Sequence, residues 1–557
     1  MKFSKKTEYV LIGLLITLSI ILRLPTVPHE FGCDSFFIHG LANSISMFGS
    51  AKWILHPFSF FGWYPLSYPS GVPFILSGLS QSTGIDIEHI ILIFAIFTGV
   101  ISIFTSYIMA LEIKNNDLFA LIVAFCFSIA PIFLNYTIWT ISTRGTLLAL
   151  IPAFLWSLLK IYKHKSLLYG ILSVVLLFML ATTHRSFVFI IPVIFAYFLT
   201  VIITKITVKA GFLNKMPKNA TFLVLLSLFI AFFFMPFFLH AYFEEKGLEV
   251  EVYKSGYLFS GSSIFTILLN AGASIVGGSG ILFMLFGILG IFYLFKKQNR
   301  NFTEIFIILA LFFTLPFLPI RGYIRYFVIL LGTISIGFGF VWTIDIFKHK
   351  KKILTAIFII SILISMIFSV FMVNHWQSVK SGYGYDLWMQ DRTYNIALFI
   401  KAYINANKSF VSSNWVTGRR IQAFSGMPCL PAQEGSGLSC NIIIYNIIDK
   451  NKLEAQGIRF SEISANTDYL YKIKNVDIYK VYRDFETLMT NPYGDDRSQK
   501  VILEYNTKYV VEDNRFPGKC TGWYSTSLFD SAFLRSIHEK KHRIYNNGLQ
   551  SLWYIGS

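Results

Sequence analysis

Charge is scarce in this sequence, and acidic charge is scarcer still. Only 14% of its 557 residues are charged, with 30 Asp and Glu against 48 Lys and Arg. A soluble domain carries about 25% charged residues, so one large water-soluble enzyme is excluded. Disorder is excluded too, because it needs low hydrophobicity and 54% of these residues are hydrophobic. Cys33, Cys126, Cys429, Cys440 and Cys520 are too few for a disulfide scaffold. Repeats, low-complexity tracts and glycine-serine linkers are missing as well. The net charge of +18 would suggest nucleic acid in a soluble chain. Its distribution gives another reading, and no nucleic-acid partner is expected.

What the sequence has is apolar runs of spanning length. About 20 residues cross a hydrocarbon core, and such runs recur from Met1 to about Val373. Helices are predicted near 9–24, 87–111, 118–134, 144–160, 166–182, 186–204, 220–239, 279–295, 303–319, 324–346 and 353–373. This is a polytopic α-helical membrane protein with about eleven spans, and 57–80 leaves room for a re-entrant helix. The first run follows Lys2, Lys5 and Lys6 without a small-residue cleavage site, so it reads as an anchor rather than a signal peptide. Lysines crowd the loops that share a side with the N-terminus, among them Lys160, Lys163, Lys165, Lys296, Lys297 and Lys350 to Lys352. By the positive-inside rule that side is cytoplasmic. An odd number of spans then puts loops 25–86 and 240–278 and the tail outside, in a multi-pass protein of the cell membrane.

Two domains are expected: residues 1–373 in the membrane, and 374–557 as an extracytoplasmic soluble α/β domain. The tail carries strand-like Phe410 to Ser412, Ile442 to Tyr445 and Tyr509 to Val511, and helix-like 394–405 and 532–538. Asn546-Asn547-Gly548 between Arg543-Ile544-Tyr545 and Leu552-Trp553-Tyr554 reads as a hairpin turn. Outside the membrane a disulfide is permitted, and Cys429 with Cys440 is a candidate pair that leaves Cys520 over.

Loop 25–86 is dense in aromatic and polar residues. Asp34 stands just beyond the first span among Phe31, Phe36 and Phe37. A partly desolvated carboxylate there suits proton acceptance from an attacking hydroxyl; the competing reading is a solvated loop with an aromatic belt. Arg144, the pair His184-Arg185, and Arg321 with Arg325 all fall at outer ends of spans. Charges at the membrane boundary are costly and face a polar cavity or a partner, and guanidinium forks suit phosphate oxygens. Snorkelling to headgroups is the simpler account of any single arginine; three clusters on one side favour a shared cavity.

Asp34 in its Asp-Ser-Phe-Phe-x-His run ending at His39, the Tyr68-Pro69-Ser70-Gly71 that follows, and Gly84-Ile85-Asp86 resemble the GT-C glycosyltransferase superfamily. The likeness is to archaeal or bacterial members that take sugar from a polyprenyl or dolichyl phosphate. Leu147 to Pro152 leading to Trp156, His184-Arg185, Arg321 with Arg325, and the external tail share the resemblance. It implies Asp34 as catalytic base, with His39, Tyr68, Arg144, His184, Arg185, Arg321 and Arg325 binding substrate. The implied partners are a polyprenyl-phosphate-linked sugar, membrane lipid, and a glycan, lipid or protein acceptor. A Trp-Trp-Asp-Tyr-Gly motif of oligosaccharyltransferases is not found; Tyr383 to Trp388 has the wrong order. Transfer of a single sugar is therefore favoured over a whole oligosaccharide. A divalent metal such as Mg or Mn is left open. Glu244, Glu245, Glu249 and Glu251 are candidate ligands, against the commoner reading of a solvated face.

Two other motifs are weighed. His538-Glu539-Lys540-Lys541-His542 fits a zinc pattern that needs both imidazoles on one helical face, but it runs straight into a predicted strand and lacks a third ligand. Gly277-Gly278-Ser279-Gly280 lacks the Lys of a phosphate loop. The alternative to an enzyme is a transporter or lipid flippase, which should show inverted repeats and mid-bilayer charges.

Overall fold

A computed structural model describes residues 2–49, 71–210, 264–315, 324–347, 349–381, 389–404, 408–412, 415–430, 487–488, 491–513 and 531–556. In chain order the helices are α1 (Lys5–Ile21), α2 (Cys33–Phe48), α3 (Gly71–Thr83), α4 (Ile87–Ile113), α5 (Asp117–Ser128), α6 (Pro131–Asn135), α7 (Thr143–His164) and α8 (Leu167–Thr183). A 3-10 turn, Arg185–Ile190, leads into α9 (Ile191–Ala210). Then come α10 (Ile264–Ser279), a π-helical turn Phe283–Gly287, α11 (Ile288–Lys296), α12 (Phe302–Thr314), α13 (Arg325–Phe347) and α14 (Lys351–Ser381). The remainder holds α15 (Asp391–Tyr403), β1 (Ser409–Ser412), α16 (Trp415–Ser425), β2 (Cys429–Leu430), α17 (Asp496–Glu504), β3 (Thr507–Asp513), α18 (Ala532–Lys540), β4 (His542–Asn546) and β5 (Gln550–Tyr554).

The chain is a helix-rich, multi-pass membrane protein. Described helices overlap the predicted spans; 220–239 and the end of 303–319 lie outside the described residues. Among the described residues 4 helices are long and apolar enough to cross a membrane, or 5 if a bent pair counts as one. Several predicted spans are interrupted. The 118–134 span breaks into α5 and α6, because Pro131 cannot donate a helical hydrogen bond. The 279–295 span breaks at Gly280, whose φ of +98 is open to glycine, and the helices beside it bend by 119°. Residues 264–278, expected to be loop, form most of α10.

Two compact units divide the chain. The first comprises Met1–Leu24, Ala95–Ile138 and Thr143–Gln377. Its core is aromatic and aliphatic, from Leu15 through Phe119, Phe127, Phe306 and Phe338 to Val373. Charges sit at helix ends and are matched there: Lys2 to Asp117 at 2.8 Å, Lys160 and Lys163 to Glu112 at 2.7 and 2.9 Å, and Lys297 to Glu304 at 2.6 Å. α11 and α13 approach at glycine. A Cβ on Gly290 would strike the Ser335 carbonyl, and one on Gly339 would strike the Phe286 carbonyl.

The second unit gathers Pro25–Phe94 and Trp139–Ser142 with Ser378–Ser557. Its sheet runs β2-β1-β3-β5-β4; β1 is parallel to β2 and β3, while β5 is antiparallel to β3 and β4. The predicted hairpin is present, with Gly548 at φ +85 in its turn. α2 packs on α16: Asn43 donates its side-chain amide to the Ala423 carbonyl, Phe36 and His39 meet the Phe424 ring, and Gly40 lies close against Gln422. Thus the described residues of the stretch after the first span, expected to be a loop, are largely helix. Ile442 to Tyr445, Cys440, Cys520 and Tyr383 to Trp388 lie outside the described residues.

Candidate functional site

Asp34 sits half-buried in the first turn of α2. The helix N-terminus favours a negative charge there. Three contacts hold that turn. Gly32 takes φ +104, and a Cβ on it would lie 2.8 Å from Thr140 Oγ1, so only glycine fits. The Phe31 amide donates to the Trp139 carbonyl at 3.3 Å. The Ile141 amide donates to Ser35 Oγ at 3.0 Å. Trp139 itself has φ +32, rare for a non-glycine residue, and its indole N–H donates to the Glu88 carbonyl at 3.5 Å.

Beneath Asp34 lies a buried polar network. Glu30, fully buried, accepts the Ser35 hydroxyl at 2.6 Å on Oε2 and His39 Nδ1–H on Oε1. Glu88 Oε1 accepts the Glu30 amide at 3.2 Å and His29 Nδ1–H at 3.1 Å. The His29 ring lies 4.0 Å from Tyr394, which packs edge-on to Phe424. Burial, with the Glu88 and Asp86 carboxylates nearby, pushes the Tyr394 hydroxyl above its ordinary range. His39, expected to bind substrate, is buried against Glu30 and Phe424.

The first unit brings three of the predicted substrate-binding residues, Arg144, Arg325 and His184, together around two tyrosines. The Arg144 guanidinium lies 5.5 Å over the Tyr136 ring. Arg325 donates to Tyr136 Oη at 3.5 Å and stands 5.7 Å over the Tyr326 ring. His184 meets Tyr326 edge-on at 6.4 Å, and its Nδ1 accepts the Ser186 amide at 3.0 Å. Arg325 Nε is buried without a hydrogen-bond partner among the described residues. Arg185 starts the turn after α8; Arg321 and Tyr68 lie outside the described residues.

Arg23 supports this cluster from below. Fully buried, it donates to Thr137 Oγ1 at 3.0 Å, to the Ser19 carbonyl and hydroxyl at 3.1 and 2.8 Å, and to the Ser128 carbonyl at 3.0 Å. Thr137 adjoins Tyr136, and Gly145 beside Arg144 presses on the same turn: a Cβ there would come 2.9 Å from the Tyr136 carbonyl. Glu30, Ser35, Glu88 and Tyr136 were not singled out by their sequence context. A carboxylate flanked by His29 and Phe31 was the one available signal.

Neither of the two other motifs forms a site. α18 ends at Lys540 and His542 opens β4, so the two imidazoles do not share a helical face. His538 instead accompanies Glu512 at 3.1 Å. Gly277 to Gly280 closes α10. No group of three His, Cys, Asp or Glu is placed to hold a metal ion among the described residues. Glu244, Glu245, Glu249 and Glu251 lie outside them.

No family profile matches the chain, and no curated protein sequence does. Solved structures do. The apo oligosaccharyltransferase of Archaeoglobus fulgidus aligns over 100% of this chain and 75% of its own, with TM-score 0.58 and 13% identity. AglB from the same organism, in complex with an inhibitory peptide and a dolichol-phosphate, aligns over 93% and 70%, with TM-score 0.55 and 15% identity. ArnT from Cupriavidus metallidurans bound to undecaprenyl phosphate aligns over 98% and 97%, with TM-score 0.51 and 10% identity. This chain shares its fold with these structures.

Proposed function

We propose that this protein is a membrane glycosyltransferase that moves a sugar from a polyprenyl-phosphate-linked donor to an external acceptor. The observation that carries the reading is the gathering of Arg144, Arg325 and His184 on the Tyr136–Tyr326 pair within a GT-C fold. Guanidiniums and phenols presented together match a phosphate that gains charge as its bond to sugar breaks. The structural neighbours bound to dolichol-phosphate and to undecaprenyl phosphate support a lipid phosphate as that ligand.

In this mechanism the acceptor hydroxyl oxygen attacks the anomeric carbon and its proton passes to the Asp34 carboxylate. The bond from that carbon to the phosphate oxygen breaks, and the lipid phosphate leaves with the electron pair. Arg144 and Arg325, with Arg185, Arg321 and His184, hold the phosphate, and Tyr68 completes the binding set; His39, buried against Glu30 and Phe424, supports α2 instead.

The remaining topology belongs to the same proposal: about eleven spans, a cytoplasmic N-terminus, and residues 374–557 as an extracytoplasmic α/β domain. The charge asymmetry of the loops and the five-stranded sheet support it. The test is transfer of label from radiolabelled polyprenyl-phosphate sugars in membranes containing the protein. Label should pass from the lipid-linked donor; passage from a nucleotide sugar alone, without lipid intermediate, would overturn the reading.

A further inference from the structure

We infer that Glu30 is the positioning residue for Asp34, a role that rests on Asp34 being the catalytic base. Ser35 and His39 lie four residues apart in α2 and therefore stack on one face of the helix. The two oxygens of Glu30 take one each: Oε2 accepts the Ser35 hydroxyl at 2.6 Å, and Oε1 accepts His39 Nδ1–H. A single buried carboxylate thus clamps two successive turns and fixes the rotation of α2 about its axis. Asp34 adjoins Ser35, so that rotation sets the direction of its carboxylate.

The clamp is itself held. The backbone amide of Glu30 donates to Glu88 Oε1 at 3.2 Å, at the start of α4. Ser35 Oγ, while donating to Glu30, accepts the Ile141 amide at 3.0 Å. Glu30, Ser35 and Glu88 are all buried, where unmade hydrogen bonds are costly, so the alternatives open to this turn are few. Three chain segments far apart in sequence therefore meet at the residue next to Asp34. A plain helix cap would need none of this: the N-cap, Gly32, makes no side-chain hydrogen bond.

The experiment measures kcat and donor KM per folded enzyme, with folding checked by thermal melting of the detergent-solubilised protein. Glu30→Gln and Ser35→Ala should lower kcat about 10- to 100-fold, as a displaced catalytic group does, and leave donor KM within about twofold. Ser35→Thr keeps the hydroxyl and should restore most of the rate lost in Ser35→Ala. Unchanged kcat in Ser35→Ala, or equal losses in Ser35→Ala and Ser35→Thr, would overturn the positioning role even if Glu30→Gln fails to fold. Asp34→Asn, run beside them, separates the two claims. If it retains full transfer, Asp34 is not the base; if it is inactive while Ser35→Ala is normal, Asp34 stands and the clamp does not.

Discussion

Tyr136 and Tyr326 meet hydroxyl to hydroxyl at 3.3 Å across 190 positions of chain. Tyr136 stands where α6 ends and Tyr326 one residue into α13, so the contact ties a broken span to an unbroken one. Arg325 reaches the same phenol, and Arg144 covers its ring. Two cations that would repel each other are thus held by one aromatic residue.

Removing a cation from this cluster should act on the donor. Arg325→Ala is expected to raise donor KM roughly tenfold, the scale of one charged hydrogen bond, with a smaller change in kcat. Tyr136→Phe removes the acceptor of the Arg325 bond and should raise KM severalfold. Steady-state kinetics with varied lipid-linked donor reads both.

Arg23 should be a stability residue. Its guanidinium satisfies hydroxyls and carbonyls on α1, α5 and the turn after α6. Arg23→Ala leaves buried oxygens unpaired and should cost about 2–4 kcal/mol. Gly99 makes the room for it: a Cβ there would strike Nε and lie 2.6 Å from Cζ. Gly99→Ala should also destabilise, but much less in the Arg23→Ala background. Melting of the purified protein and its three variants measures this coupling.

Helix packing gives a second stability prediction. The collisions at Gly290 and Gly339 are with backbone carbonyls, which cannot rotate away. Gly290→Ala and Gly339→Ala should each cost about 1–3 kcal/mol, whereas Gly78→Ala, with open space around it, should cost far less. The same melting assay ranks them.

How much of this was legible in the sequence varies by element. Helices were legible because their apolar runs are long, and the hairpin because Asn547-Gly548 falls between two strand-like stretches. The breaks in 118–134 and 279–295 were not, since a run of apolar residues scores alike whether straight or bent. α2 was hidden: its aromatic, polar and small residues read as an interface loop, and its buried face appears only with α16 beside it. Arg144, His184 and Arg325 stood out as basic residues at span ends, but Tyr136 did not, because a contact across nearly two hundred residues leaves no local pattern.

Cys429 allows a pH prediction. It is buried on β2, and burial pushes its thiol well above the ordinary range. Below about pH 8, near the usual thiol value, both folded and unfolded thiols are protonated and nothing is gained or lost. As pH rises through that range the unfolded thiol ionises and the buried one does not, so stability should fall. Under reducing conditions, native Cys429 should resist iodoacetamide at pH 8.5 and react once the protein is denatured, as read by mass spectrometry of the peptide.

The central claim is that Asp34 takes the acceptor's proton. Radiolabelled transfer from a polyprenyl-phosphate sugar, by membranes carrying equal amounts of wild-type protein or Asp34→Asn, measures it directly. Transfer should fall at least about 100-fold, the scale of general base catalysis, while retention of the polyprenyl phosphate stays unchanged. Wild-type turnover by Asp34→Asn would contradict the account.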